Sequence, residues 1–399
     1  MSSKTGDISS DQRFVRLKSR VFERRPILNE ILADHGNLKL SEYSKLYYRR
    51  PEYKVDSQRK KEFIEGFREE IETIFGKDIA DACAAQPSKS FHLAYTEHHG
   101  PIGTSRQLNN ILIATIPTLE TGLNDFPYNI IIACSNISFN NWSFPRGLTF
   151  HTYGNKGLSE NQLSFFGHTI DAFPVYNHKS FNQDSIKNLR KSLYTMWNER
   201  FVWKKEFNKL NQIIDEICMD KSVLTEHIYT NQIAKLNFLL WDKISDNKET
   251  PTQKLIYVEQ ERLVNRLLLK FHLDTKTSIH NILFDPNYLD LVTKYFEGIM
   301  CGFSEKTKQG SFHFWAIPPG SKYRVQLWRR GNKLVSPDGA YEVSLTPDGV
   351  RKGILNGELI PSTLLSFILF SFYYGLRQIG GPNQTTYLTQ MKEDYLNLL

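Results

Sequence analysis

The chain has 399 residues, of which 40% are hydrophobic and 13% aromatic. This length predicts two domains or one domain with a large helical insertion, and the apolar content is enough to build a core without disulfides or structural metal ions. The 50 Lys and Arg against 43 Asp and Glu give a formal charge of +7. Such a mildly basic balance is compatible with an anionic ligand or a nucleic acid, but it does not identify a dedicated nucleic-acid-binding protein.

Cysteine usage and hydropathy indicate the compartment. Cys83, Cys134, Cys218 and Cys301 lie far apart without CxxC spacing, which argues against a disulfide framework and against a cysteine-based zinc site. The first residues lack the apolar centre of a signal peptide, and the longest apolar stretch, 364–374, is shorter than the roughly 20 residues of a membrane-spanning helix. We therefore expect a cytoplasmic protein without a membrane partner, in which 364–374 is a buried helix.

Residues 1–85 are predicted to form an amino-terminal helical layer. In 11–26, Phe14, Leu17 and Val21 recur at helical spacing among six arginines and lysines, a pattern that suits contact with phosphate or with an acidic protein surface. The alternative is a helix that packs its apolar stripe on the body of the protein. A second helix is predicted over 57–75 from the same periodicity.

Residues 86–182 are predicted to form an α/β core. The continuous apolar runs 111–116 and 129–134 are typical of strands that are buried on both faces. Weaker strands are predicted at 91–96 and 147–152. The capping-box spacing of Ser159 and Gln162 predicts a short helix at 162–166.

Residues 183–304 are predicted to be helical almost throughout. Two helix starts are marked by a capping residue followed by proline, at Thr250-Pro251 and at Asp285-Pro286. Between them, apolar residues recur mainly at helical spacing.

Residues 305–399 are predicted to begin with strands and to end with helices. The alternating segments 312–317, 323–328 and 341–345 indicate an antiparallel meander. Helices are then predicted to start at Thr346-Pro347 and at Pro361-Ser362. The fold class is therefore α/β or α+β, with a central mixed sheet flanked by a large helical portion and followed by the meander.

The segment 95–101 holds the first candidate site. Glu97, His98 and His99 follow a predicted strand, and Gly100-Pro101 prevents a continuing helix. One interpretation is a site for a divalent metal ion such as Zn, Fe or Mn, with His98, His99 and His151 as candidate ligands. Metal-free acid–base catalysis and a structural loop cluster are the alternatives.

Cys134 is the second candidate, because it ends the predicted strand 129–134. Its thiol is a candidate nucleophile that His98 or His99 would activate. It is equally compatible with a small buried side chain. Asn110 and Asn136 are candidate hydrogen-bond donors to a substrate or a developing oxyanion.

Three further side chains are candidates for substrate binding. Arg146 lies between Pro and Gly, where a constrained backbone suits a bidentate clamp on a carboxylate or phosphate. Arg324 and Gln326 share one face of a predicted strand with Trp328. Surface positions with no ligand are the alternative for all of them, and the second basic segment, 328–333, suits either phosphate contact or no contact.

The function hypothesis combines these candidates. Standard nucleotide-binding, serine-hydrolase and metalloprotease motifs are absent from the sequence. We expect a histidine-dependent transferase or hydrolase that acts on a small polar or anionic metabolite, with Glu97, His98 and His99 as acid, base or metal ligands and an arginine as the anion clamp. The alternatives are a nucleic-acid-associated protein that uses the basic amino-terminal helix, or a non-catalytic interaction protein.

Overall fold

The computed structural model describes residues 10–47, 54–89, 92–121, 126–154, 157–245, 253–380 and 383–399. The helices are α1 (Ser10–Arg24), α2 (Pro26–His35), α3 (Leu40–Tyr47), α4 (Ser57–Phe75), α5 (Lys77–Lys89), α6 (Ser105–Thr121), α7 (Gln183–Asn198), α8 (Lys204–Ile213), α9 (Lys221–Leu224), α10 (Tyr229–Ser245), α11 (Gln260–Leu267), α12 (Ser278–Phe284), α13 (Pro286–Phe296), α14 (Pro347–Leu355), α15 (Thr363–Phe367) and α16 (Gln384–Leu398). The helices α8, α11 and α15 continue as π-helical turns over Ile214–Cys218, Leu268–His272 and Ile368–Tyr373, and a 3₁₀ turn spans His168–Ile170.

The strands are β1 (His92–His98), β2 (Tyr128–Cys134), β3 (Gly147–Gly154), β4 (Gly157–Ser164), β5 (Lys254–Glu259), β6 (Phe303–Ser304), β7 (Gln309–Gly310), β8 (Phe314–Ala316), β9 (Trp328–Arg330), β10 (Lys333–Val335), β11 (Glu342–Ser344), β12 (Leu359–Pro361) and β13 (Arg377–Ile379). The α/β or α+β class is confirmed, since helices and strands are mixed along the chain and the sheets are small.

The central sheet has four strands in the order β13-β1-β2-β5, and each of its pairings is parallel. The prediction of a mixed central sheet is therefore wrong. Parallel neighbours require crossover connections, which the intervening helices provide. The strands come from three of the four predicted segments, because β5 belongs to 183–304 and β13 to 305–399.

Both faces of this sheet are buried. On β2, Ile130 and Ile132 pack into one hydrophobic cluster, whereas Ile131 packs into another. On β5, Ile256 and Val258 join the first cluster, and Leu255 and Tyr257 join the second. This alternation is what a strand covered by helices on both sides requires, and it confirms the prediction for 129–134.

Two predictions about the sheet strands are wrong. The run 111–116 is the middle of α6, because Thr104 and Gln107 form a reciprocal cap: Gln107 N–H donates to Thr104 Oγ1 at 3.3 Å, and Thr104 N–H donates to Gln107 Oε1 at 3.1 Å. A short apolar run alone does not separate a strand from a helix. A helix was also predicted to start at Thr250-Pro251, but residues 254–259 form the strand β5. Residues 246–252 lie outside the described residues.

Other local predictions divide in the same way. The helix starts at Asp285, Thr346 and Ser362 are confirmed, and each side chain accepts a hydrogen bond from a backbone N–H of the helix that follows. The buried helix over 364–374 is confirmed by α15 and its π-helical continuation. The short helix at 162–166 is wrong, because that segment forms β4 and pairs antiparallel with the confirmed strand β3.

The predicted meander is partly correct: an antiparallel meander is present, but of the predicted strands 312–317, 323–328 and 341–345 only the last lies in it. Strands β9, β10 and β11 pair antiparallel in sequence, while β8 pairs with β12 instead. Arg324 and Gln326 lie before β9 rather than within a strand, so the proposed shared face with Trp328 is wrong. Trp328 is buried in the main hydrophobic cluster.

The amino-terminal helix α1 carries its apolar stripe toward solvent. Phe14 is 66% exposed and Leu17 is 62% exposed, so the interpretation that this stripe packs on the body is wrong. Within the described residues, the helices are too short or too polar to cross a membrane.

Candidate functional site

The carboxyl ends of β1, β2 and β5 meet at one edge of the central sheet. The register pairs His98 with Cys134 and Ala133 with Glu259. The residues that follow each strand are therefore neighbours in space. Such an edge is where open α/β sheets hold their reactive groups.

Ser135 lies between two buried carboxyl groups at this edge. Its Oγ is 2.7 Å from Glu259 Oε1 and 2.8 Å from Glu261 Oε2. A hydroxyl has one proton to donate, so it cannot donate to both groups at once. Both contacts can be hydrogen bonds at the same time only if one carboxyl group carries a proton and donates it to Ser135 Oγ.

Glu261 is the member of the pair that is built to be charged. It accepts hydrogen bonds from Ser135 N at 2.8 Å, Asn136 N at 3.2 Å, and the Cys134 thiol at 3.2 Å. Burial raises the pKa of Glu261, and the hydrogen bonds from Ser135 and Cys134 oppose that rise. This set of donors favours the carboxylate form.

Glu259 is the member of the pair whose pKa lies near neutrality. Burial raises its pKa from 4.5 to about 7, although the charge of Arg262 and the hydrogen bond from Thr230 both oppose the rise. Thr230 Oγ1 lies 2.6 Å from Glu259 Oε2. Ser135 Oγ donates to Glu259 Oε1 when Glu259 is ionised, and a protonated Glu259 would instead donate to Ser135, leaving the Ser135 proton for Glu261.

Cys134 belongs to the same cluster, but not as a thiolate. Its side chain is buried, and burial together with the charge of Glu261 raises the pKa of the thiol well above its usual value. The thiol donates its hydrogen bond to the carboxylate. In this arrangement Cys134 orients Glu261, and the prediction of a nucleophile receives no support.

The two histidines of the predicted site have different surroundings. His99 is buried, its ring packs edge-on against Tyr257 at 5.8 Å, and its Nδ1 has no hydrogen-bond partner among the described residues. Burial and the charge of Arg262 lower its pKa from 6.5 to about 3, so the ring is neutral near pH 7. His98 is half-buried, with Nδ1 3.2 Å from Ser143 Oγ and its ring 5.7 Å from that of Trp142.

Asn136 and Arg324, both predicted to bind substrate, also meet at this edge. The Arg324 guanidinium donates to the backbone oxygen and to Oδ1 of Asn136, and it lies 4.4 Å above the ring of Trp315. Asn136 Nδ2 donates to the Pro361 carbonyl at 3.1 Å. Burial lowers the pKa of Arg324, whereas the nearby Cys134 and Glu261 raise it.

The remaining predicted residues lie elsewhere. Arg146 pairs with Asp171, and its Nη1 is 3.0 Å from His168 Nδ1, so its charge is already matched within the protein. Gln326 donates to the carbonyl oxygens of Lys308 and Gly310 and so holds a turn. Asn110 is half-buried on α6.

The metal hypothesis finds no support in the described residues. Among the side chains that the structure describes, no three His, Cys, Asp or Glu residues are placed to hold a metal ion. His151 lies on β3, 3.7 Å from Glu160 of β4. The side chain of Glu97 lies outside the described residues.

A cavity of about 530 Å³ lies near the carboxyl cluster, and the buried Glu259, Ser135 and Glu261 are not among its lining residues. Tyr176, Arg262 and Asn265 connect the two. Each lines the cavity, and the charges of Glu259 and Arg262 both act on the Tyr176 hydroxyl, whose pKa is raised mainly by burial. The other residues that line the cavity are Glu69, Glu70, Asn177, Ile228, Arg266, Leu269, Lys270, Ile354, Leu355 and Gly357.

Glu259, Glu261 and Arg262 are the residues of the candidate site that sequence analysis missed. The signal was present: Leu255-Ile256-Tyr257-Val258 is a continuous apolar run followed by charged residues, the same form that identified β2. The threonine-proline pair before it was interpreted as a helix start, which placed these glutamates on a helix surface.

The comparisons with known proteins add no family or function. No protein-family model matches the chain, and no curated protein sequence matches it significantly.

The nucleic-acid alternative is weakened at its second basic segment. Arg329 pairs with Asp290, Arg330 with Glu305, and Lys333 with Glu342. Matched charges of this kind contribute little to phosphate binding.

Proposed function

We propose that the chain is an enzyme, a hydrolase or transferase, that acts on a small polar metabolite at the carboxyl edge of the parallel sheet. The carboxyl cluster of Glu259, Ser135 and Glu261 would exchange the proton of the reaction, and the nearby cavity would hold the substrate. His99 would stay neutral next to the cluster and would not carry the proton, because its pKa of about 3 is far below pH 7.

The contact of Ser135 Oγ with both Glu259, at 2.7 Å, and Glu261, at 2.8 Å, is the observation that supports this proposal most. A carboxylic acid with a pKa of about 7 is suited to both donating and accepting a proton at neutral pH. Structural ion pairs usually keep a carboxyl group ionised. Glu259 is buried, and Arg262, whose charge acts on it, forms its ion pair with Glu70 instead. A buried acid near a cavity is therefore typical of a catalytic group.

Glu261 and Arg324 complete the cluster. When Glu259 loses its proton, the Ser135 hydroxyl can turn and donate to either carboxylate, because both lie within 2.8 Å of Oγ. Arg324, hydrogen-bonded to Asn136, supplies a positive charge near Glu261. The cluster can thus gain or lose one proton without moving its backbone.

The test is hydrolysis of three chromogenic compounds, 4-nitrophenyl acetate, 4-nitrophenyl phosphate and 4-nitrophenyl β-glucoside, as a function of pH. If Glu259 donates the proton, the rate should fall as the pH rises through about 7. Glu259→Gln keeps the shape of the side chain and removes the acid, so its rate should be lower by about 100-fold or more.

The control is Glu160→Gln, which removes a carboxylate on the β3–β4 hairpin. It should hydrolyse the same compound at the wild-type rate. Equal rates for wild type and Glu259→Gln, or no hydrolysis of any of the three compounds by the wild type, would contradict the proposal.

A further inference from the structure

The cavity near the carboxyl cluster is lined by Asn265, a buried amide with one atom that lacks a hydrogen-bond partner. Asn265 is 5% exposed, and its Nδ2 donates to the Tyr176 hydroxyl at 3.1 Å. Its Oδ1 is buried and has no hydrogen-bond partner among the described residues. A buried acceptor of this kind costs free energy unless a ligand or water donates to it.

The cations that line the cavity are matched by carboxylates. Arg266 donates through Nε at 2.9 Å and Nη2 at 2.8 Å to Oε2 of the buried Glu70. Arg262 Nε lies 3.2 Å from the other oxygen of Glu70, and its Nη1 donates to Asn231 at 2.9 Å. Both guanidinium groups are therefore already engaged.

The third cation, Lys270, is matched as well. Its ammonium group pairs with Glu65 at 2.6 Å and also pairs with Glu69. Three cations thus face three carboxylates. An anionic ligand would meet no excess positive charge here, and its desolvation would not be compensated.

The rest of the wall is mainly apolar, with Asn177 as a further polar side chain. Ile228, Leu269, Ile354 and Leu355 line the cavity together with the polar groups. These side chains suit the carbon skeleton of a ligand, while Asn265 and Tyr176 suit its hydroxyl groups. A hydroxyl group both donates and accepts, so it satisfies the amide and the phenol together.

We infer that this cavity binds an uncharged small molecule that carries hydroxyl groups on a carbon skeleton, such as a neutral sugar or a nucleoside. This inference rests on the proposed function, since it assigns a ligand class to the same site. It replaces the sequence-based expectation of an anionic metabolite for this cavity, because the charges that would hold an anion are matched within the protein.

The test is binding by isothermal titration calorimetry of glucose, N-acetylglucosamine, inositol, uridine and adenosine. Glucose 6-phosphate and uridine monophosphate serve as the charged counterparts. At least one neutral compound should bind, and its phosphorylated counterpart, where tested, should bind about tenfold more weakly or not at all. Binding of glucose, N-acetylglucosamine or inositol would indicate a sugar-like ligand, and binding of uridine or adenosine would indicate a nucleoside.

Two variants connect the binding to the site. Asn265→Leu removes the unpartnered acceptor at nearly constant size, and it should weaken binding by about tenfold, the effect of one hydrogen bond. Asn188→Leu changes an exposed asparagine on α7 in the same way and should leave the affinity unchanged. Circular dichroism of each variant checks that the fold is retained.

Glu259→Gln separates this inference from the proposed function. It lacks the catalytic acid but keeps the cavity wall, so it should bind the neutral compound with wild-type affinity. Tighter binding of a phosphorylated compound, no binding of any of the five neutral compounds, or wild-type affinity in Asn265→Leu would each overturn the inference. Hydrolysis that depends on Glu259 would leave the proposed function standing even then.

Discussion

The turn after β1 and the end of β5 lie at the same edge of one parallel sheet. Their buried titratable groups nevertheless have pKa shifts in opposite directions. After β1, burial keeps His99 neutral by lowering its pKa to about 3. At the end of β5, burial raises the pKa of Glu259 to about 7. Both effects have one cause, because a low-polarity interior disfavours the charged form of either group.

The difference lies in what each group can do near neutral pH. A histidine with a pKa of about 3 stays deprotonated and serves only as a hydrogen-bonding ring. A glutamic acid with a pKa of about 7 exchanges its proton there. The histidine pair drew attention in the sequence because imidazole is the usual acid–base group, but in the folded chain the carboxyl group of Glu259 is better placed for that role.

The largest effect is expected from removal of Glu261. Glu261→Ala leaves the N–H groups of Ser135 and Asn136 and the Cys134 thiol without an acceptor, and it leaves Arg324 without a nearby carboxylate. We expect the free energy of unfolding to fall by about 4 kcal/mol. Urea-induced unfolding followed by circular dichroism measures it.

Glu160→Ala is the matched control on the β3–β4 hairpin, with an expected change within about 0.5 kcal/mol. A loss below about 1 kcal/mol for Glu261→Ala would show that the cluster after β5 is not a tightly bonded unit. The contrast between the two regions would then disappear.

The second prediction concerns the proton of Glu259. Because its pKa is raised from 4.5 to about 7 on folding, the folded chain binds this proton more strongly than the unfolded chain between those pH values. The contribution of Glu259 to the free energy of unfolding should therefore fall by about 3 kcal/mol as the pH rises from 4.5 to 7. Glu259→Gln should lack this part of the pH dependence, so the difference between the two unfolding curves isolates it.

Glu160→Gln controls for the loss of a carboxyl group elsewhere. If the unfolding free energies of wild type and Glu259→Gln changed in parallel over this pH range, Glu259 would not hold a proton at neutral pH. The shared proton inferred at Ser135 would then be placed on the wrong residue.

The smallest effect is expected for His99 and has the opposite sign. Its pKa falls from 6.5 to about 3 on folding, so acid favours the unfolded chain, which binds the proton more strongly. Between pH 6.5 and 5, wild type should lose about 2 kcal/mol of unfolding free energy relative to His99→Gln. Chemical unfolding at several pH values within this window measures the difference.

An unchanged difference between the two proteins over that window would mean that His99 is reached by water in the folded chain. In that case the turn after β1 would regain its place as an acid–base candidate. The two pH experiments together thus decide which end of the sheet titrates near neutrality.

Several helix starts were predictable from local contacts, although the cap signals at Ser159 and Thr250 predicted helices where strands form. The caps at Asp285, Thr346 and Ser362 act on backbone N–H groups two or three residues away, so their helices could be predicted from short segments. The Thr104–Gln107 cap carries the same kind of signal for α6. It was overlooked because the apolar run 111–116 was given more weight.

Part of the candidate site was predictable as well. Cys134 and Asn136 were identified because they end a buried strand, and the structure places both in the carboxyl cluster. Arg324 was identified on a mistaken strand face, yet it reaches the cluster through Asn136. The sequence did not show whether Arg146 binds a substrate or pairs within the protein, because its partner Asp171 lies 25 residues away on another turn.

The sequence by itself determined the mixed fold class, many helix boundaries and the strand that ends at Cys134, because these depend on periodicity and on contacts within a few residues. Only the tertiary structure decided that β5 pairs with β2 and brings Glu259 and Glu261 to one serine hydroxyl. Protonation depends on burial and on neighbours more than 100 residues away in the chain, and neither is encoded in any local pattern.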